Sequence, residues 1–325
     1  MFSVIKRGQV YQPSVSGNGK VIAWRDLPEK GVSEIGIKRE GEAPALLTDD
    51  NVAVRSPQLN YDGSVVVFER HDDSPWSDWD VARLEAGQAE PEIIYNTDGE
   101  DTDIDISSDG NKVVLDDWPG KAPYHRSIKL WSKGEGVKQI SPEGVSSGLP
   151  EISGDGNRIF YIQLPPRANV PNEVWMQEAD GSEKPVIYET GPNPEANHKK
   201  RFDTNHDGSV VAWVQKIGAS PAQVWKWDLK NGQKEMVDEA YIAGQLDLSG
   251  DGSTLTWTTR ERNDAGQEVS RLHWKKGDEE KLVSEETVGL NSYPSLSDDG
   301  NTLVWMWRNP NVLSDHEIRQ EVFSS

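Results

Sequence analysis

The chain has 325 residues, no cysteine and a formal net charge of −21, from 55 Asp and Glu against 34 Lys and Arg. So negative a surface repels phosphate backbones and anionic lipid, which argues against nucleic acid and leaves neutral sugars, peptides, cationic groups and metal ions as partners. Without cysteine there is neither a disulfide framework nor thiolate chemistry.

From the N-terminus, residues 2–7 (FSVIKR) read as a lone strand. The stretch has no apolar core of signal-peptide length, and no later segment reads as a membrane span, so membrane insertion is not expected. Four strand-like pieces follow: YQPSVS, KVIAWRD, EIGIKRE and PALLT. The first two are joined by a small polar turn ending in Gly19, where Gly and Asn tolerate positive φ.

That unit then repeats. The turn phrase recurs as PQLNYDGSVVVF, IDISSDGNKVVL, PEISGDGNRIFY, FDTNHDGSVVAW, LDLSGDGSTLTW and PSLSDDGNTLVW, with glycines at Gly63, Gly110, Gly156, Gly208, Gly252 and Gly300. Successive glycines lie 44, 47, 46, 52, 44 and 48 residues apart. A strand-rich unit at a period in the forties predicts propeller blades. After Gly300 come NTLVWMW and HEIRQEV, and no fourth piece. FSVIKR is expected to complete that last blade and remove the open edge. The expected fold is all-β: one seven-bladed β-propeller domain over residues 1–325, of four-stranded antiparallel blades, with a monomer as the expected state. Trp24, Trp213, Trp257 and Trp305 end second strands and are expected in the core, as are Trp131, Trp175, Trp225 and Trp274 on third strands.

The turn phrase, preceded by Pro and a hydrophobic residue in Pro150-Glu-Ile-Ser-Gly-Asp-Gly and Pro294-Ser-Leu-Ser-Asp-Asp-Gly, resembles the TolB-type, WD40-like β-propeller repeat. The resemblance covers essentially the whole chain. It implies the fold and, by analogy only, a docking platform in a bacterial envelope, with a periplasmic or secreted location.

It also implies that each blade's first strand lies nearest the axis. Five residues before the glycines stand Ser14, Gln58, Asp105, Glu151, Asp203, Asp247 and Ser295, all polar among largely apolar or proline neighbours. Strand alternation turns such a set to one face, here the channel. Asp105, Glu151, Asp203 and Asp247 are carboxylates in consecutive blades and form the candidate metal site. Ca²⁺, Mg²⁺ or a cationic group would relieve their repulsion; backbone N–H groups of neighbouring blades or water would do the same without a metal. Asp203-x-Asn205-x-Asp207-Gly208 and Asp247-x-Ser249-x-Asp251-Gly252 match the opening of an EF-hand loop, but Val214 and Thr258 stand where its closing Glu belongs. Those residues read as Asx-turns.

The loops opposite the turns vary most, and loops on a rigid scaffold tend to carry binding residues. Trp76 and Trp79 stand in blade two, and Trp118, Tyr124 and His125 in blade three. They are candidates for a sugar or peptide platform, or for lids folded over their own blades. Arg25, Arg70, Arg260 and Arg308 lie just beyond second strands, where they recognise a carboxylate or neutralise neighbouring acids. Arg70, His71, His125 and Asp117 are a possible catalytic meeting point. No zinc-binding His pair, nucleophile elbow, P-loop or dinucleotide fingerprint occurs. The reading is a non-catalytic scaffold that binds a protein segment or a glycan at one face and the axial opening. The alternative is a carbohydrate-active enzyme, a glycoside hydrolase or polysaccharide lyase, with its site on the rim of blades two and three.

Overall fold

The computed structural model describes the chain except residues 1, 30, 72–78, 120–124, 164–171, 179–180, 191–201, 217–219, 241, 264–265, 285–288, 313 and 324–325. Each repeat folds as a four-stranded antiparallel blade, joined in chain order by hairpins. The first strands are Val10–Val15, Val54–Leu59, Glu100–Ile106, Ser147–Ile152, Phe202–Thr204, Ile242–Leu248 and Leu290–Leu296. Each lies against the first strand of the next blade, and the seventh returns to the first. A single parallel bridge, Glu100 to Trp79, links blades two and three.

The ring closes as the two ends predict. Ser3–Gly8 pairs antiparallel with His316–Val322, the third strand of blade seven, from Ser3 opposite Gln320 to Gly8 opposite His316. The outer edge of that strand is therefore paired, not open.

Burial follows from alternation along the strands. Among the described residues the apolar side chains form seven clusters, one at each junction between blades. Trp24, Trp213, Trp257 and Trp305 are fully buried, as their positions predict, and Trp131 and Trp274 nearly so. Trp175 and Trp225 are only partly buried and pack against the cluster edges.

A second ring needs no side chains. Seven backbone hydrogen bonds of 2.8–3.0 Å pass from blade to blade at the turns: Asn18 to Tyr61, Tyr61 to Ser108, Ser108 to Gly154, Asp155 to His206, His206 to Gly250, Asp251 to Asp298 and Asp298 to Gly17. The donor is the residue two before the turn glycine, except where that residue is itself glycine and its successor donates. Every turn glycine has φ between +65° and +73°, a conformation that favours glycine.

Candidate functional site: the axial cavity and its two mouths

The first strands enclose a cavity of about 160 Å³ lined by all seven of Ser14, Gln58, Asp105, Glu151, Asp203, Asp247 and Ser295. The channel-facing set is thus placed as the alternation predicts. The metal reading does not follow from it. Among the described residues no group of three His, Asp or Glu side chains is close enough to hold a metal ion. Asp105, Asp203 and Asp247 instead serve the next blade. Asp105 Oδ2 accepts the N–H of Ile152 at 2.8 Å, Asp203 Oδ2 that of Leu248 at 2.7 Å, and Asp247 Oδ2 that of Leu296 at 2.7 Å. Ser295 Oγ does the same for Val15 at 3.2 Å. Each acceptor stands five residues before its glycine and each donor four before the next. Glu151 lines the cavity with them but joins no such ligand group. The EF-hand-like stretches are turns: Asp207 Oδ1 accepts the N–H of Ser209 at 3.0 Å, and Asp251 Oδ1 that of Ser253 at 2.8 Å.

At the turn end the mouth is filled by Tyr61, Ser108, His206 and Asp298. Three glycines make room for them. A Cβ on Gly17 would stand 2.6 Å from the Tyr61 ring, one on Gly250 2.6 Å from Asp298 Cγ, and one on Gly154 would collide with His206. Ser108 Oγ is 3.3 Å and Asp298 Oδ2 3.9 Å from the same atom, His206 Nδ1. A Ser-His-Asp relay needs the two partners on different ring nitrogens, so these three are not a triad. Burial raises the Asp298 pKa, and the neighbouring His206 opposes that rise.

The opposite mouth is built on backbone irregularity. Among the described residues six non-glycine residues have positive φ, and five of them, Gln12, Ser56, Asp103, Leu149 and Tyr293, lie seven before a turn glycine. Each marks a bulge in its first strand. Such conformations cost about 1–3 kcal/mol each and persist where neighbours hold them. Here the preceding blade supplies the holder: Gln12 Oε1 accepts the N–H of Ser56, Glu69 Oε1 that of Asp103 and Gln245 Oε1 that of Tyr293. Proline at the next position, in Pro13, Pro57, Pro150 and Pro294, was the available signal, since proline inside a strand marks a bulge.

Around this bulge end, blades one to three carry charged side chains over aromatic rings. The Arg25 guanidinium lies 5.7 Å from the Tyr11 ring, Arg55 3.8 Å from Trp79, and Arg126 4.9 Å from Trp118. Arg55 is paired with Glu69 and Arg126 with Asp116, the latter at 3.4 Å. Arg25, half-buried, has no ion pair among the described residues, and its Nε is buried without a hydrogen-bond partner. Burial and then the Arg55 charge lower its pKa. Glu69 pairs with Arg55 and acts on Arg25 only through its charge. Arg55, Arg126 and Tyr11 escaped the sequence reading because their partners come from other strands of the same blade, and Tyr293 because it is held by Gln245 of the preceding blade.

The remaining rim residues divide. Trp118 is 41% exposed, an open ring face beside Arg126. Trp79 is partly buried between Arg55 and an edge-on His71 at 5.2 Å. Trp76 and Tyr124 lie outside the described residues. Arg70 pairs with Asp50 at 2.6 Å and Arg260 with Glu268 at 3.1 Å, the surface neutralisation considered for them. The catalytic meeting point does not form. Arg70 turns to Asp50, His71 to Trp79, and Asp117 to Tyr95, Ser127 and Lys129, while His125 is exposed. Arg308 lies apart, in a pocket between blades six and seven.

No family model matches the sequence, and no curated protein matches it. Solved structures do match in shape. An oligogalacturonate lyase from Vibrio parahaemolyticus is 14% identical over 96% of this chain and 89% of its own, with a TM-score of 0.67. TolB from Acinetobacter baumannii is 14% identical over 95% of this chain and 66% of its own, with a TM-score of 0.56. The β-propeller domain of the Trilobed protease from Pyrococcus furiosus is 14% identical over 99% of this chain and 97% of its own, with a TM-score of 0.68. That domain has an open velcro topology, whereas here the first strand zips the ring shut. What these likenesses establish is the fold: the chain is a β-propeller, similar in shape to TolB and to the other propellers named.

Proposed function

We propose that this chain is a non-catalytic binding module that takes a carboxylate-bearing glycan at the bulge-end mouth, over blades one to three. The observation that carries the reading is Arg25, a half-buried guanidinium that forms no ion pair among the described residues, beside Arg55, in a chain of net charge −21. In a protein with so many acids, a cation left unpaired next to another cation is suited to an anion from outside. The exposed Trp118 ring offers an apolar face for a sugar, and Arg126 a second charge beside it. An acidic glycan also agrees with the likeness to an oligogalacturonate lyase, whose substrate carries carboxylates.

A second reading, a carbohydrate-active enzyme at the same mouth, is favoured by that likeness alone. An array of acidic and neutral glycans, followed by incubation of the hits with protein, separates the two. Binding of acidic glycans without new unsaturated or reducing ends supports the module. Turnover supports the enzyme. Binding of neutral glycans only, or of peptides only, overturns the proposed ligand.

A further inference from the structure

A second cavity, of about 520 Å³, opens on the rim between blades six and seven, away from the axis. Arg260 and Glu268 wall it from blade six; Leu290, Arg308, Asn309 and Asn311 wall it from blade seven. The walls are held by their own bonds. Asn309 Nδ2 donates to Asp315 at 3.0 Å, and its Oδ1 accepts the N–H of Asn311 at 3.0 Å. Arg260 is paired with Glu268 at 3.1 Å.

Arg308 differs from its neighbours. It forms no ion pair among the described residues, and its Nε is buried without a hydrogen-bond partner. Directly across the hairpin stands His316, buried, its ring edge-on to Tyr11 at 4.8 Å. Burial and then the Arg308 charge lower the His316 pKa. Among the described residues, therefore, no acidic group pairs with the Arg308 charge. An unanswered, partly buried charge is costly, and an anion that enters removes the cost.

We propose that this pocket is a second binding site, for a small carboxylate held by the planar fork of Arg308. A guanidinium presents two parallel donors to the two oxygens of a carboxylate, and the cavity is of the size that takes a small organic acid. The pocket shares no lining residue with the site over blades one to three.

The test uses the full chain, with succinate as probe and succinamide as its uncharged counterpart. Nitrogen-15 correlation spectra of the arginine Nε–H groups follow each titration. The Arg308 signal is expected to shift with succinate and not with succinamide. Arg308→Ala should weaken succinate binding at least tenfold. Arg308→Lys, which keeps the charge and guards against misfolding, should weaken it less, and Lys138→Ala, at an exposed lysine of blade three, should leave it unchanged. A shift equal for both probes, no shift at Arg308, or loss of succinate binding in Arg25→Ala with full binding in Arg308→Ala, overturns the proposal. Only the last of these outcomes speaks for the mouth over blades one to three.

Discussion

Asp203 and Leu248 sit 45 positions apart in sequence, in neighbouring blades, and share a hydrogen bond of 2.7 Å from the backbone N–H to the carboxylate. The same relation joins Asp105 to Ile152 and Asp247 to Leu296. A hydrogen bond to a charged acceptor contributes about 1.5–3 kcal/mol. Asp203→Ala should therefore lower unfolding stability by about 1–3 kcal/mol, and Asp203→Asn, which keeps an acceptor, by less. Urea unfolding of both variants checks this; a gain in stability in both would mean that charge repulsion, not the hydrogen bond, governs the site.

Because these carboxylates are already engaged, the channel should not respond to calcium. Millimolar CaCl₂ added to chelator-treated protein is expected to leave Tm unchanged. A rise that vanishes in an Asp105→Asn/Asp203→Asn double variant would restore the cation reading.

The mouth at the turn end depends on three glycines with ordinary φ. Gly250→Ala would set a Cβ 2.6 Å from Asp298 Cγ and 2.8 Å from its Cβ. Both atoms lie close to the Asp298 backbone, so the strain cannot be relieved by a flexible tip. Overpacking of this kind costs about 1–3 kcal/mol. Gly87→Ala, where a Cβ meets nothing within 4 Å but φ is +88°, isolates the backbone cost for comparison. Thermal melts of the two variants decide whether close approach or conformation dominates.

Asp116 is fully buried, and burial raises its pKa well above the usual carboxylate range, more than the Arg126 charge lowers it. A carboxyl raised by folding binds its proton more tightly folded than unfolded. Its contribution is full below its ordinary pKa and is lost as pH rises through the folded value. Asp116→Asn mimics the protonated form and should remove that loss. The stability of the variant relative to the parent is expected to grow as pH rises, measured by urea unfolding from pH 4 to pH 9. A gap that is constant or shrinks with rising pH contradicts the account.

Much of the fold is legible in the sequence because each blade is a local object. Gly19 and its six counterparts mark turns that need positive φ, and Trp24, Trp213, Trp257 and Trp305 mark the buried face. Closure was legible from the two ends, since FSVIKR supplies the strand that HEIRQEV lacks. The channel set was legible from alternation, but its chemistry was not. Whether Asp105 faces a metal or the N–H of Ile152 depends on the placement of a strand 47 residues away. The bulges at Gln12, Ser56, Leu149 and Tyr293 left only a proline as trace, and the one at Asp103 left none. The isolation of Arg25 and Arg308, against the pairing of Arg70 and Arg260, has no sequence signal, because the acids that answer the latter pair come from other strands and loops.

The most direct test of the central claim is calorimetric titration of the chain with an oligogalacturonate and with its fully methyl-esterified form. The two differ in charge far more than in shape. The acidic form should bind, the ester should bind at least about tenfold more weakly, and Arg25→Ala should bring the acidic form down to the level of the ester. Equal affinity for the two forms, or an Arg25→Ala variant that binds the acid as the parent does, would contradict the account.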